Sequence, residues 1–214
     1  SQLNIVNIID YKYIIQIQLN NQKGLYCSFG LRDLWISYLV EGNGNDPAVI
    51  RRIWEDLEKQ PEGANIYDSI DHVLKSYPDG GLENAFRHFS EWNYFIGRED
   101  DGKHYSFGKR FIPVLTIDRE LFLSSKGYFG PPHNSLSSSY IEVSHETGEK
   151  VMDEFPLYFV GYPPGKWMIS LLTFFKDGTN ITTELPMKPQ GAQVFTIPQW
   201  NKVRKTVIIV QNVS

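Results

Sequence analysis

The sequence predicts an α+β protein in which a small helical bundle, residues 24–97, is followed by an antiparallel β-sandwich, residues 113–214. Three observations carry this. Apolar residues recur with helical period between about residues 28 and 97, the period falls to two after Gly97, and turn residues then separate short runs with no helical interlude. Composition agrees: of 214 residues, 21% are charged and 14% aromatic, which suits a chain that buries a core and excludes disordered, collagen-like and coiled-coil classes.

Residues 1–23 read as a strand-like segment. Leu3, Ile5, Ile9, Tyr11, Tyr13, Ile15, Ile17 and Leu19 occupy odd positions, with Asn4, Asp10, Lys12, Gln16, Gln18 and Asn20 between them. The segment is expected to form an exposed edge, open to another copy or to an upstream region. Four helices are then expected. Leu31, Leu34, Trp35, Tyr38 and Leu39 make the first stripe, closed by Gly42 and Gly44. Asp46 caps the second helix with Pro47 at its first position, and Val49, Ile50, Ile53, Trp54 and Leu57 face inward until Pro61 and Gly63. The third runs over about 66–77 with Ile66, Ile70, Val73, Leu74 and Tyr77 inward, and Pro78, Gly80 and Gly81 end it. The fourth carries Leu82, Ala85, Phe86, Phe89 and Trp92 towards Gly97. Short connections favour antiparallel neighbours and hence a bundle.

Residues 98–112 read as a hairpin or linker turning at Asp101–Gly102. Strands are expected near 113–117, 120–123, 139–144, 155–160, 166–176, 179–185, 192–197 and 205–211. The strongest hairpin signal is the two-residue loop Asp177–Gly178 between Phe174–Lys176 and Thr179–Thr183. Over 166–175 both alternating faces are largely apolar, as in a central strand covered on both sides.

The residues that carry chemistry elsewhere do not assemble into a motif here. His145–Glu146 starts like H-E-x-x-H but lacks the second histidine and sits at a turn, so no metal ligand is assigned. Asp68 and His72 share a helical face, best explained by ion pairs of Asp68 with His72 and Asp71 with Lys75. There is no G-x-S-x-G elbow, and Cys27, the single cysteine, has no histidine partner in its neighbourhood and allows no internal disulfide, so no catalytic residue is assigned. Glu99, Asp100 and Asp101 lack the spacing of a calcium loop. With 21 basic against 25 acidic residues, a net charge of −4, and only Lys202, Arg204 and Lys205 clustered, no nucleic-acid partner is expected. Apolar runs are too short for a membrane span. Tyr162 and Trp200, each beside a proline, are the candidates for an exposed interaction surface.

Two stretches resemble a known family. Leu34–Trp35–Ile36–Ser37–Tyr38–Leu39 with Val49–Ile50–Arg51–Arg52–Ile53–Trp54, and then Phe89–Ser90–Glu91–Trp92–Asn93–Tyr94–Phe95–Ile96–Gly97, resemble the post-active-site helical segment of bacterial secreted gluzincin-like zinc metallopeptidases and its closing F-x-x-W-N-Y-F-x-G element. Trp92, Asn93, Tyr94 and Phe95 are the structural motif of that resemblance. It implies a secreted or cell-surface protein whose helices support a catalytic region upstream of Ser1 and whose sandwich is an accessory module. The family's H-E-x-x-H helix lies before the region matched, so none of its zinc ligands maps onto this chain, and the resemblance implies no cofactor here and any zinc upstream. The expected partner is then the upstream peptidase-like region of the same polypeptide. The rival class is a stand-alone cell-surface module that binds a glycan or protein. Asn93, within a packed aromatic run, is expected to make a buried structural hydrogen bond.

Overall fold

Among the described residues, helices form where the apolar stripes lie: α1 (Phe29–Glu41), α2 (Ala48–Leu57), α3 (Ile66–Leu74) and α4 (Leu82–Tyr94). The computed structural model describes residues 15–19, 29–110, 119–122, 128–130, 136–145, 152–161, 165–187 and 192–214. Asp46 holds the start of α2, its Oδ1 accepting the Ala48 amide at 2.9 Å, and Asn65 does the same for α3 through the Tyr67 amide at 3.1 Å. Asp71 supports the start of α4 by accepting the Leu82 amide at 2.9 Å, and it also pairs with Lys75 at 2.7 Å. Leu34, Tyr38, Val49, Ile53, Leu74, Ala85 and Phe89 meet in one buried cluster. Trp54, expected in the α2 stripe, is instead exposed. It follows Ile53 by one residue, about 100° around the helix, and so falls off the buried face. His72 pairs with Asp56 of α2 at 2.7 Å rather than with Asp68, because the antiparallel neighbour brings its carboxylate closer than the same-helix one.

Among the described residues the strands are β1 (Ile15–Leu19), β2 (Arg119–Phe122), β3 (Tyr128–Gly130), β4 (Ser137–Ser144), β5 (Glu154–Gly161), β6 (Trp167–Phe175), β7 (Asn180–Leu185), β8 (Ala192–Pro198) and β9 (Val203–Asn212). One sheet has the order β3-β1-β5-β8 and the other β2-β4-β9-β6-β7. Pairing along β4-β9-β6-β7 and between β5 and β8 is antiparallel. β1 is parallel to β3 and β5, and β2 to β4, pairings that a tight hairpin cannot make. The fold class is thus α+β, helices followed by a largely antiparallel sandwich. β1 is an interior strand, which corrects the expectation of an exposed edge for residues 15–19, while residues 1–14 and 20–23 lie outside the described residues. The strand expected at 113–117 lies outside the described residues.

Ile141, Phe155, Leu157, Phe159, Ile169, Leu171, Ile208 and Val210 fill the space between the two sheets. The opposite face of the five-stranded sheet is covered as well. Tyr140, Leu172, Phe174, Val207 and Ile209 pack against Tyr94 and Phe95 at the end of α4. The molecule therefore has three layers, helices on sheet on sheet, and β6 is buried on both faces as its two apolar rows require.

Two turns differ from expectation. Beyond the Phe175–Thr179 pair, where Phe175 N–H donates to the Thr179 carbonyl at 2.8 Å, the turn between β6 and β7 has three residues, Lys176, Asp177 and Gly178, and Gly178 takes a positive φ of 90°. Lys176 N–H is drawn away to the Lys202 carbonyl at 2.9 Å, which lengthens the loop by a residue. Residues 97–110 contain 3-10 turns and no hairpin strands. Gly161 at the end of β5 allows close approach of Trp167, since a Cβ there would lie 2.5 Å from the indole. Gly161→Ala is expected to lower the unfolding free energy by about 1–3 kcal/mol in a urea titration, the cost of displacing a packed ring; an unchanged midpoint would show that the ring shifts freely.

Candidate functional site at the joint between helices and sheet

Trp92, Asn93, Tyr94 and Phe95 are consecutive on the last turn of α4 and its exit, so their side chains fan around the helix by about 100° each. Each therefore meets a different layer. Trp92 faces the bundle, edge-on to Tyr38 at 5.3 Å and Tyr105 at 5.2 Å. Asn93 is buried and its Oδ1 accepts the Tyr105 hydroxyl at 2.8 Å. Tyr94 lies on the sheet with its ring 5.6 Å from Phe174, and burial pushes its hydroxyl up to about 12. Phe95 stacks on His104 at 4.1 Å with rings 2° from parallel. The aromatic and polar contacts of His104 and Tyr105 hold residues 97–110 against α4, which is why Asp101–Gly102 turns without a strand pair. Asp101 spends its carboxylate on His104, at 2.8 Å, and on the Lys103 amide.

Asn93→Leu removes the buried 2.8 Å hydrogen bond between the Tyr105 hydroxyl and the Asn93 carbonyl oxygen. The expected loss is about 1–3 kcal/mol in denaturant unfolding. Wild-type stability of this variant would remove Asn93 from the joint's hydrogen-bonding core.

A second group of residues at the same joint was not singled out by sequence reasoning. Asp79, in the turn before α4, is buried; its Oδ2 accepts the Tyr38 hydroxyl at 2.7 Å and its Oδ1 lies 2.6 Å from His88 Nδ1. Across the sheet edge, Glu184 of β7 meets Arg87 at 2.7 Å and His88 Nε2 at 3.6 Å. The Asp79 hydrogen bond raises the His88 pKa, against the opposing effect of burial. The ring lies between two carboxylates, and the nearer one favours its protonated form. Glu91, one turn on, is buried beside Ser170 of β6, and desolvation pushes its carboxyl up despite the Ser170 hydroxyl and the charges of His88 and Arg87. Asp79 reads in sequence only as part of the Pro78–Gly81 helix stop, and Glu184 only as a polar strand residue, so nothing local marked them.

A third tie is Lys205 of β9, 3.0 Å from Glu142 and 3.5 Å from Glu99, with its ammonium 5.5 Å from the centre of the Tyr94 ring. Its tie to these carboxylates takes one residue of the basic run 202–205 out of any anion-binding role.

Trp200 corrects an expectation. It is fully buried, stacked on Phe155 at 4.7 Å and flanked by His145, and offers no face to a ligand. A 3-10 turn after Gln199, whose φ is 54°, rolls the indole into the space between the sheets. The His145 Nε2–H donates to the Trp200 and Val203 carbonyls at 3.1 and 2.9 Å, fixing that turn. Tyr162 lies outside the described residues.

Among the described residues no group of three or more His, Cys, Asp or Glu side chains is placed to hold a metal ion, and no helix is long and apolar enough to cross a membrane. Fold and joint together define the class: an α+β protein whose helical layer is locked to a β-sandwich by an aromatic and ionic seam. Compared with family models, curated proteins and solved structures, the chain matches none.

Proposed function

We propose that the chain is the non-catalytic C-terminal portion of a secreted metallopeptidase-like protein, its helical layer backing an upstream catalytic region and its sandwich serving as an accessory interaction module. One observation carries the reading. The W-N-Y-F stretch, through which the family resemblance runs, is the seam of the fold: Trp92 enters the bundle while Tyr94 and Phe95 enter the sheet layer. A stretch so used is a mechanical part, suited to hold a neighbouring region in a fixed pose. Ile36, Trp54 and Tyr67 remain exposed on α1, α2 and α3, apolar side chains available for the upstream region to cover.

The test is the coding sequence before Ser1 together with the whole parent protein. An H-E-x-x-H helix is expected upstream, with zinc and casein cleavage in the parent and neither in residues 1–214 alone. A parent without that motif, or one-to-one zinc bound by residues 1–214, overturns the proposal. Burial of Trp200 removes one of the two side chains on which the rival glycan- or protein-binding reading rested, and the other, Tyr162, lies outside the described residues.

A further inference from the structure

We propose that β7 is a self-association edge, pairing antiparallel with β7 of a second copy of this chain about a two-fold axis through Thr182. Among the described residues β7 ends its sheet, and five of its six residues are exposed. The hydrogen bond from Phe175 N–H to Thr179 sets the alternation of the hairpin, so Ile181, Thr183 and Leu185 bond back to Thr173, Leu171 and Ile169. Asn180, Thr182 and Glu184 accordingly turn their backbone N–H and C=O groups outward. Edges of this kind are normally blunted by lysine, proline or a bulge. β7 reads Asn-Ile-Thr-Thr-Glu-Leu and pairs with β6 without a register shift, so it carries none of these.

What fits the edge is a copy of itself. A two-fold through Thr182 sets Asn180 opposite the partner subunit's Glu184, an amide against a carboxylate, and opposes no like charges. Glu184 is the one charge on the strand, and Arg87 and His88 already balance it. On the other face the half-exposed Ile181 comes beside the methyl group of the partner subunit's Thr183. Three pairs of outward backbone groups and one isoleucine per copy make a small interface, below the roughly 1,000 Å² of a stable one. The dimer is therefore weak and reversible.

Sedimentation equilibrium of the full chain, from low micromolar to hundreds of micromolar, reads this directly. Wild type is expected to show a monomer–dimer equilibrium. Thr182→Lys, which opposes two ammonium groups across the axis at an exposed site, is expected to weaken it at least tenfold with an unchanged melting curve. Val194→Lys, on the exposed face of β8, is expected to leave it unchanged. Should Thr182→Lys fold poorly, Thr182→Cys in a Cys27→Ser background is expected to cross-link to itself under mild oxidation, since paired Cα atoms about 5.5 Å apart suit a disulfide. A wild type that stays monomeric throughout, a Thr182→Lys dimer of wild-type strength, loss of the dimer in Val194→Lys, or no Thr182→Cys cross-link overturns the proposal.

Discussion

Trp200→Ala is expected to lower the free energy of unfolding by about 3–5 kcal/mol, the largest effect of any single substitution in the sandwich. The indole is fully buried between the sheets against Phe155, Ile197 and Val203. Its backbone N–H donates to the Asp153 carbonyl at 2.8 Å, so the turn that carries it is tied down and cannot collapse into the space left. Guanidinium unfolding followed by far-UV circular dichroism measures this. A loss below about 1 kcal/mol would mean that neighbouring side chains refill the site.

Asp79→Ala is expected to cost about 3 kcal/mol, because it strands the buried Tyr38 hydroxyl and removes the carboxylate that orients His88. Its pH signature separates it from a simple packing loss. His88 has a raised pKa, so its contribution is complete below the ordinary imidazole range and is lost as the pH rises through the raised value. Glu91 acts in the same sense over a lower window: its neutral form is favoured in the fold, so stability falls as the pH climbs from the ordinary glutamate value towards the raised one. Asp71 and Asp101 act oppositely, since their lowered values contribute stability above the ordinary carboxylate range that is lost on acidification. Wild-type urea midpoints are therefore expected to peak at mildly acidic pH and decline on the alkaline side. In Asp79→Ala that alkaline decline flattens. A variant that keeps the wild-type slope would show that Asp79 does not set the His88 charge.

Periodicity made the element content legible because each element buries a face whose spacing matches its geometry. The stripe of Leu34, Tyr38 and Leu39 is buried in α1, and the double apolar rows of 166–175 are buried on both sides of β6. What was illegible depends on neighbours distant in sequence. Trp200 beside Pro198 looks exposed until the Gln199 turn rolls it inward. Asp101–Gly102 carries a hairpin signal, yet stacking of His104 on Phe95 and anchoring of Tyr105 by Asn93 decide that segment. The ionic clamp joins Tyr38, Asp79, His88 and Glu184 from four separate stretches, and no local pattern announces it.

The position of β9 bears on how the protein comes into being. It is the third strand of five in its sheet, flanked by β4 and β6, yet it follows both in the chain. Until residues 203–212 leave the ribosome, β4 and β6 have no common partner. Their inner edges and the apolar rows destined for both cores stay open to water and to other nascent chains. Helices α1–α4 have local contacts and can form early, but the sheet on which they rest cannot close before its middle strand arrives. From the emergence of β4 to that of β9 the sheet is thus half-built, and a chaperone that shields strand edges would act in that interval.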